Sequence, residues 1–437
     1  MTPSRTTKAL FLAHTAAPSG AELATLRLLA ALRESGLIDV AQIYTEDGPM
    51  VERMRARGVE TRVVRGAFDS RAMTIGSGPV RLVAGFIALL RLGWTLGAAA
   101  RELGADVLIA ESTKALVMGA VATRRAGIPL VWQVHDRISV DYFGRLPTVV
   151  IQRLGRLVAH GYLANSRTTL RTLRIGHRPA VVAYPGVELA GDIERAAQRA
   201  PTEAVLVAVG RLTPWKGQDV LLRAIAAMKM QPRQIFLVGG TFFDEEPYQA
   251  ELMRMAQEFG LPVTFTGHVD DPGAYLRDAD ILVHSSVLPE PFGQVVVEGM
   301  HAGCAVIASG PGGPAEIVEP GVNGLLVEGG DQRQLTTALD TLIADPALRT
   351  RLATAARTRA KDFDIEASAR TVAAFLNSIT QRNGAVSNRR RSRGPVWARP
   401  SPTATLDGRP AADCADPAAT AALAAGQQNP RERTPHV

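Results

Sequence analysis

Cysteine is nearly missing from this 437-residue chain, which holds only Cys304 and Cys414. Two thiols are too few for a disulfide framework or a cysteine-built metal cage, so a reducing, cytoplasmic setting is expected. A basic face for nucleic acid is lacking as well. The formal charge is +7, but residues 383–437 carry eight Arg against four acids, so +4 of it sits in the tail and the body is close to neutral. The apolar run Ala9–Ala13 is too short for the core of a signal peptide. No self-similarity occurs at a solenoid period. No G-x-G-x-x-G turn follows the first strand, which removes a nicotinamide dehydrogenase. Uninterrupted membrane-spanning character is absent too: the apolar stretch Pro79–Ala100 is broken by Arg81 and Arg91. An arginine near the centre of a span costs about 2.5–3.5 kcal/mol, so a helix packed in the first domain is expected. The sharper alternative is an interfacial helix with Trp94 and both arginines at the lipid headgroups.

What is present is an ordinary globular composition, 46% hydrophobic and 21% charged. Short apolar runs alternate with helical patterns. Strands are expected at 8–13, 40–44, 61–64, 107–110, 130–134, 161–164 and 180–183, with a helix from Ala21 after a small-residue loop. A polar stretch follows, and a second series of strands occupies 205–210, 234–240, 263–267, 279–285 and 305–309. After Asp331 the pattern is helical to about Thr380. The fold class is therefore α/β, in two similar halves facing across a cleft. The expected boundaries are 1–187 for the first domain, 188–200 for a linker and 201–365 for the second domain. Residues 366–382 form a helix returning to the first domain, and 383–437 a disordered Arg-, Pro- and Ala-rich tail.

Ligands of open parallel sheets bind beyond the carboxyl ends of strands, and the informative residues follow strands here. In Val209–Leu222, Gly210 closes a strand, Arg211 follows at once, and Lys216-Gly217 precedes a helix. A planar fork of donors and a compact point charge at one strand end suit a diphosphate. Further on, Glu290 and Glu298 bracket EPFGQVVVE, with Pro291 and Gly293 marking a helix start near Gly293. Eight helical residues rise about 12 Å, roughly the span from a sugar ring to a nucleotide ribose. Glu290 is then placed to bond sugar hydroxyls and Glu298 ribose hydroxyls, with the helix N-terminus offering N–H groups to the diphosphate between them. His135 and Asp136 follow the strand LVWQV on the opposite side of the cleft. Asp278-Ala-Asp280 mimics a metal motif but leads directly into a strand, and nothing requires a metal.

These segments resemble retaining glycosyltransferase family 4, of GT-B fold, with two Rossmann-like domains. The resemblance rests on PSGAELATLRLLAAL, WQVHD, LANS, YPGVE, VGRLTPWKGQDVLLRAI and the run from VTFTGHVDD through EPFGQVVVEGMHAG to GVNGLLV, and it covers about residues 8–380. It implies a nucleoside-diphosphate sugar as donor substrate, no cofactor, and an acceptor that is a saccharide or lipid-linked sugar, as in cell-envelope or polysaccharide assembly. By similarity Arg211, Lys216, Glu290 and His135 carry catalysis. Glu298, Phe292, Gly293, Gln294 and Gly210 hold the donor, with Gly267 and His268 near the base. Gly20 belongs to the first loop, where Ser19-Gly20 replaces the two adjacent glycines often found in the family. The resemblance further implies retention of anomeric configuration and a place at the inner face of the plasma membrane, where the Arg389–Arg393 cluster would add attraction to anionic lipid. Two rivals use the same fold: a sugar-nucleotide epimerase, and a nucleotide-sugar-binding scaffold without turnover.

Overall fold

The computed structural model describes residues 6–66, 79–189, 199–241 and 245–392. Apolar runs that are buried from end to end become central parallel strands, because helices cover both faces of such a sheet, while the strands at its edges are only partly covered. In the first half the strands are β1 (Lys8–Ala13), β2 (Asp39–Tyr44), β3 (Glu60–Val63), β4 (Val107–Ala110), β5 (Leu130–Val134), β6 (Gly161–Ala164) and β7 (Ala180–Val182). They form one parallel sheet in the order β3-β2-β1-β4-β5-β6-β7. The second half contributes β8 (Val205–Val209), β9 (Gln234–Val238), β10 (Val263–Gly267), β11 (Ile281–His284), β12 (Ala305–Gly310) and β13 (Leu325–Glu328). Their order is β10-β9-β8-β11-β12-β13, again parallel. Strand β13 is not among those expected from the sequence. It is a four-residue edge strand whose burial is mostly partial, too short and too lightly apolar to stand out.

Strand order reverses between β1 and β4 in the first sheet and between β8 and β11 in the second. These are the crevices where ligands of open sheets bind. The helix Pro79–Glu102 lies against the helix Thr113–Ala126. A Cβ at Gly93 would come within 2.6 Å of the Met118 carbonyl oxygen, and one at Gly97 within 2.9 Å of that of Ala122. Two glycines one turn apart thus bring the backbones into direct contact, which fixes this helix to the body of the domain.

The final helix, Ile365–Ser392, packs its first turns back into the first half. Ile365, Ala369, Val372, Ala373, Leu376 and Ile379 are buried in the same cluster as Leu29 and Phe11, at the three- and four-residue spacing of an amphipathic face. The crossing is pinned by the backbone bonds Val187 N–H to Phe363 O at 2.9 Å and Ile365 N–H to Val187 O at 3.1 Å. The helix continues to Ser392, which corrects the expectation that order ends at residue 382. Once a helix is anchored, each added residue gains a hydrogen bond without a new nucleation cost. The expected tail beyond Ser392 and most of the expected linker, 190–198, lie outside the described residues.

Candidate active site

The loops after β8 and β11, at the second switch point, meet and bring Lys216 to Glu290. Lys216 Nζ donates to both carboxylate oxygens of Glu290, at 2.9 and 2.8 Å. The ammonium also lies 4.3 Å from the centre of the Trp215 ring, a cation–π contact. Glu290 accepts a further bond from Ser286 Oγ at 2.9 Å, and His284 Nε2 lies 3.3 Å away. The backbone N–H of Ser309 donates to His284 Nδ1 at 3.4 Å. That places the ring proton on Nε2, directed at Glu290. Burial by itself would raise the Glu290 carboxyl. The Lys216 charge and the His284 contact outweigh it and hold the group well below the ordinary carboxylate range.

The helix Gln294–Ala302 begins at Gly293, whose φ of 93° lies in the left-handed region that favours glycine. Its first N–H groups have no intrahelical acceptors and form an anion-binding end. Phe292 is buried against Tyr184 and Phe363, with ring centres 5.5 and 5.7 Å away, so only its backbone faces the cleft path. Glu298 is engaged from across the cleft by Arg27, at 3.3 Å. Arg27 also donates to Gln294 Oε1, and Gln294 Nε2 donates to the Gly20 carbonyl at 2.9 Å. Ser166 Oγ bonds the Pro291 carbonyl at 2.6 Å, while Arg137 and Tyr142 donate to that of Pro289 at 3.3 and 2.9 Å. Glu316 accepts from the Arg167 and Thr168 N–H groups at 3.0 and 2.6 Å. The first half therefore holds the Pro289–Gln294 loop and the Pro314–Ile317 helix from several elements at once.

Not every expected residue joins this cluster. Arg211 follows β8 as expected, yet its Nε pairs with Glu245 Oε2 at 3.3 Å, while its carbonyl accepts from Gln218. The structure thus joins Lys216 to Glu290 and places Arg211 on a separate acid. Gly210 has φ 150° and Gly267 φ 70°. A Cβ on Gly239 would lie 2.1 Å from the Gly210 carbonyl oxygen, so the loops after β8 and β9 are in direct contact. His268 is more than half exposed, 4.0 Å from Asp270. Asp278 and Asp280 are held by Arg199 at 2.6 and 3.1 Å, and Asp280 also accepts the Val205 N–H at 2.9 Å. They sit at the amino end of β11, the edge of the sheet opposite the site. No group of three or more His, Cys, Asp or Glu that could hold a metal occurs among the described residues.

In the first half, His135 follows β5 with its Nε2 buried and unpartnered, and its carbonyl accepts from Asn165 at 2.7 Å. Burial pulls its pKa down to about 4, so the ring is neutral at physiological pH. Around the first switch point stand three carboxyls that the sequence does not single out as a group: Glu22, Glu111 and Asp136. Desolvation raises all three, and Glu111, which accepts from Gln42 at 2.9 Å, is pushed up to about 8. His14, bonded to Ser112 at 2.9 Å, is lowered by burial to about 4.

These shifts set a pH dependence of stability. Glu111 keeps its proton in the folded protein at pH values where the unfolded chain, near 4.5, has lost it. Its contribution therefore falls as pH rises from 4.5 to about 8. His14 and His135 act oppositely, adding stability as pH rises from about 4 to 6.5. Melting temperature should climb to near pH 6.5 and then decline toward pH 8. Glu111→Gln should flatten the decline, by about 1.4 kcal/mol per pH unit at most. Equal slopes for the two proteins in thermal melts would show that Glu111 is not the group responsible.

Two doubly wound parallel sheets meeting over such a cleft define a GT-B protein. Residues 18–190 match the family "Glycosyltransferase Family 4" and residues 191–359 match "Glycosyl transferases group 1". The chain belongs to this glycosyltransferase family and is a glycosyltransferase. It is 32% identical over 295 residues to a D-inositol 3-phosphate glycosyltransferase of Thermobispora bispora, covering 61% of this chain and 68% of that enzyme. It is 33% identical over 164 residues to the lipopolysaccharide core biosynthesis glycosyltransferase LpsE of Rhizobium meliloti, 37% of this chain and 46% of that protein. Among solved structures, Anabaena Alr3699/HepE in complex with UDP and glucose superposes with a TM-score of 0.73 at 29% identity, covering 85% of this chain and all of that one.

Proposed function

We propose that the chain transfers a hexose from a uridine-diphosphate sugar to a hydroxyl of a saccharide or lipid-linked acceptor, with retention and without a metal, in cell-envelope or polysaccharide assembly. The observation that carries this reading is the Lys216–Glu290 pair at the second switch point, beside the amino end of the helix Gln294–Ala302. The uridine-diphosphate donor is supported by the HepE complexes, which contain UDP with glucose, or UDP-glucose.

In this reading Glu290 orients the transferred sugar through its hydroxyls, and Glu298 turns from Arg27 to the ribose. The bond between the anomeric carbon and the donor phosphate breaks, and negative charge grows on the leaving diphosphate. Lys216, Arg211 once turned from Glu245, and the helix N-terminus stabilise that charge more in the transition state than in the ground state. The acceptor oxygen bonds the anomeric carbon on the face the diphosphate leaves, and a donor phosphate oxygen takes its proton. His135, neutral, positions sugar or acceptor and is not an obligatory base. Closure of the two halves excludes water as a competing acceptor.

The three desolvated carboxyls on the acceptor side favour an uncharged ring at the reacting end. Burial that raises Glu22, Glu111 and Asp136 disfavours negative charge there, and a phosphate brought against them would bear the same desolvation cost. The acceptor then differs from the inositol phosphate named for the Thermobispora enzyme.

The experiment is a screen of UDP-, GDP- and ADP-sugars for nucleoside diphosphate release, with and without EDTA. Release from a UDP-hexose that survives chelation is expected. Activity restricted to another base would overturn the donor assignment, and loss in EDTA restored by Mg²⁺ would overturn the metal-free mechanism.

A further inference from the structure

The helix Pro79–Glu102 turns an apolar stripe to solvent. Val83, Phe86, Ile87 and Trp94 are exposed by 60, 49, 44 and 58%, and their spacing puts them on one side of the helix. A second helix, Arg145–Val158, does the same with Leu146, Val150 and Leu157, exposed by 74, 54 and 72%. Exposed Arg145, Arg153 and Arg156 run alongside that stripe. Both helices cover one face of the first sheet, on either side of Thr113–Ala126. Large apolar side chains in such groups are not ordinary soluble surface.

Charge on this face has one sign. Residues 83–102, 113–126 and 145–158 hold seven arginines and one lysine against a single acid, Glu102. The whole body up to residue 382 carries 41 basic residues against 38 acidic ones, so its excess of positive charge is concentrated here. Arg125 stacks over Trp94 with its guanidinium carbon 4.6 Å from the ring centre. Trp94 thereby has an apolar ring and a cation side by side, as a membrane interface requires. Although Val83–Glu102 is long and apolar enough to span a bilayer, the glycine contacts to Met118 and Ala122 hold it on the domain. The arrangement fits a helix lying on a membrane, not crossing one.

Helices in a parallel sheet start from the carboxyl ends of the strands, which is the cleft side. Val83, Phe86, Ile87, Leu146 and Val150 all lie in the first halves of their helices. Leu146 is four residues past Tyr142, whose hydroxyl bonds the carbonyl of Pro289, the residue before Glu290. We infer that the face formed by helices Pro79–Glu102 and Arg145–Val158 docks on an anionic lipid bilayer, with the mouth of the cleft at the membrane surface. This rests on the proposed function only in naming the acceptor as lipid-linked.

The test is co-sedimentation of the full chain with vesicles of phosphatidylcholine alone or mixed with phosphatidylglycerol, beside a donor-hydrolysis assay in solution. Binding to the anionic vesicles, weakened by salt, is expected. The combined variant Phe86→Ser, Leu146→Ser, Leu157→Ser should lower it roughly tenfold or more while UDP release in solution is unchanged. Arg153→Glu with Arg156→Glu should weaken binding to anionic vesicles only. The inference is overturned if the wild-type chain ignores anionic vesicles, or if the serine variant binds them as well as wild type. It is also overturned if the stripe instead drives a concentration-dependent dimer without lipid binding. Vesicle binding with no donor hydrolysis would count against the proposed function and leave the membrane face standing.

Discussion

Lys216→Ala should lower turnover by about two to three orders of magnitude, the usual cost of removing one preorganised group from developing negative charge. The lysine has two tasks. It neutralises the largely buried Glu290, 2.8 Å away, and in the proposed mechanism it supplies a cation to the leaving diphosphate. Without it, Glu290 is left buried with only Ser286 and His284 as partners, and its carboxyl should rise toward the neutral form. Breaking one side of such a pair destabilises the fold by about 3 kcal/mol or more. A second substitution separates the two effects: adding Glu290→Gln should restore much of the melting temperature and none of the turnover. Near wild-type rates of nucleotide release from Lys216→Ala would break the account of the site.

Gly217→Ala should be nearly as damaging, by a different route. Gly217 has φ 67°, and a Cβ there would lie 2.3 Å from the Ser285 carbonyl oxygen and 2.9 Å from Val287 Cγ1. The loops after β8 and β11 are joined at this point: Ser285 Oγ bonds the Lys216 carbonyl at 2.9 Å, and the Val287 N–H bonds that of Trp215 at 2.9 Å. A methyl group must push these loops apart and carry Lys216 away from Glu290. The left-handed backbone costs up to about 1 kcal/mol for a residue with a Cβ, and the overlap adds about 1–3 more. A loss of about 2–4 kcal/mol in denaturant unfolding, together with a fall in turnover, is the expected result. An alanine variant as stable and active as wild type would show that the two loops do not touch here.

Much of this arrangement is legible in the amino-acid sequence. Twelve of the thirteen strands in the described residues stand where the sequence predicts them, the central ones because a strand covered on both faces must be apolar throughout. The start of the helix at Gln294 is equally plain, since Pro291 and Gly293 exclude an earlier one. The partners of the site residues are not. Arg211 and Lys216 lie five residues apart and read as one cationic pair, yet Arg211 turns to Glu245 and Lys216 to Glu290. Arg27 reaches Glu298 across 271 residues of chain, and nothing in PSGAELATLRLLAAL marks that arginine over any other on a helix surface. His284 reads as the end of a buried strand. Only the return of the β11 loop puts Glu290 at its Nε2.

By itself the sequence determined two parallel α/β halves, the family, and the strand ends that carry the candidate site residues. Those follow from periodicity and turn residues, which act over a few positions and are written along the chain. Tertiary structure alone decided which charges meet, that three carboxyls stand around the first switch point, and that two helices far apart in sequence turn apolar stripes and arginines outward from one face. Hydrogen bonds and ion pairs form only at contact distance, so a charge finds its partner only after the sheets have closed.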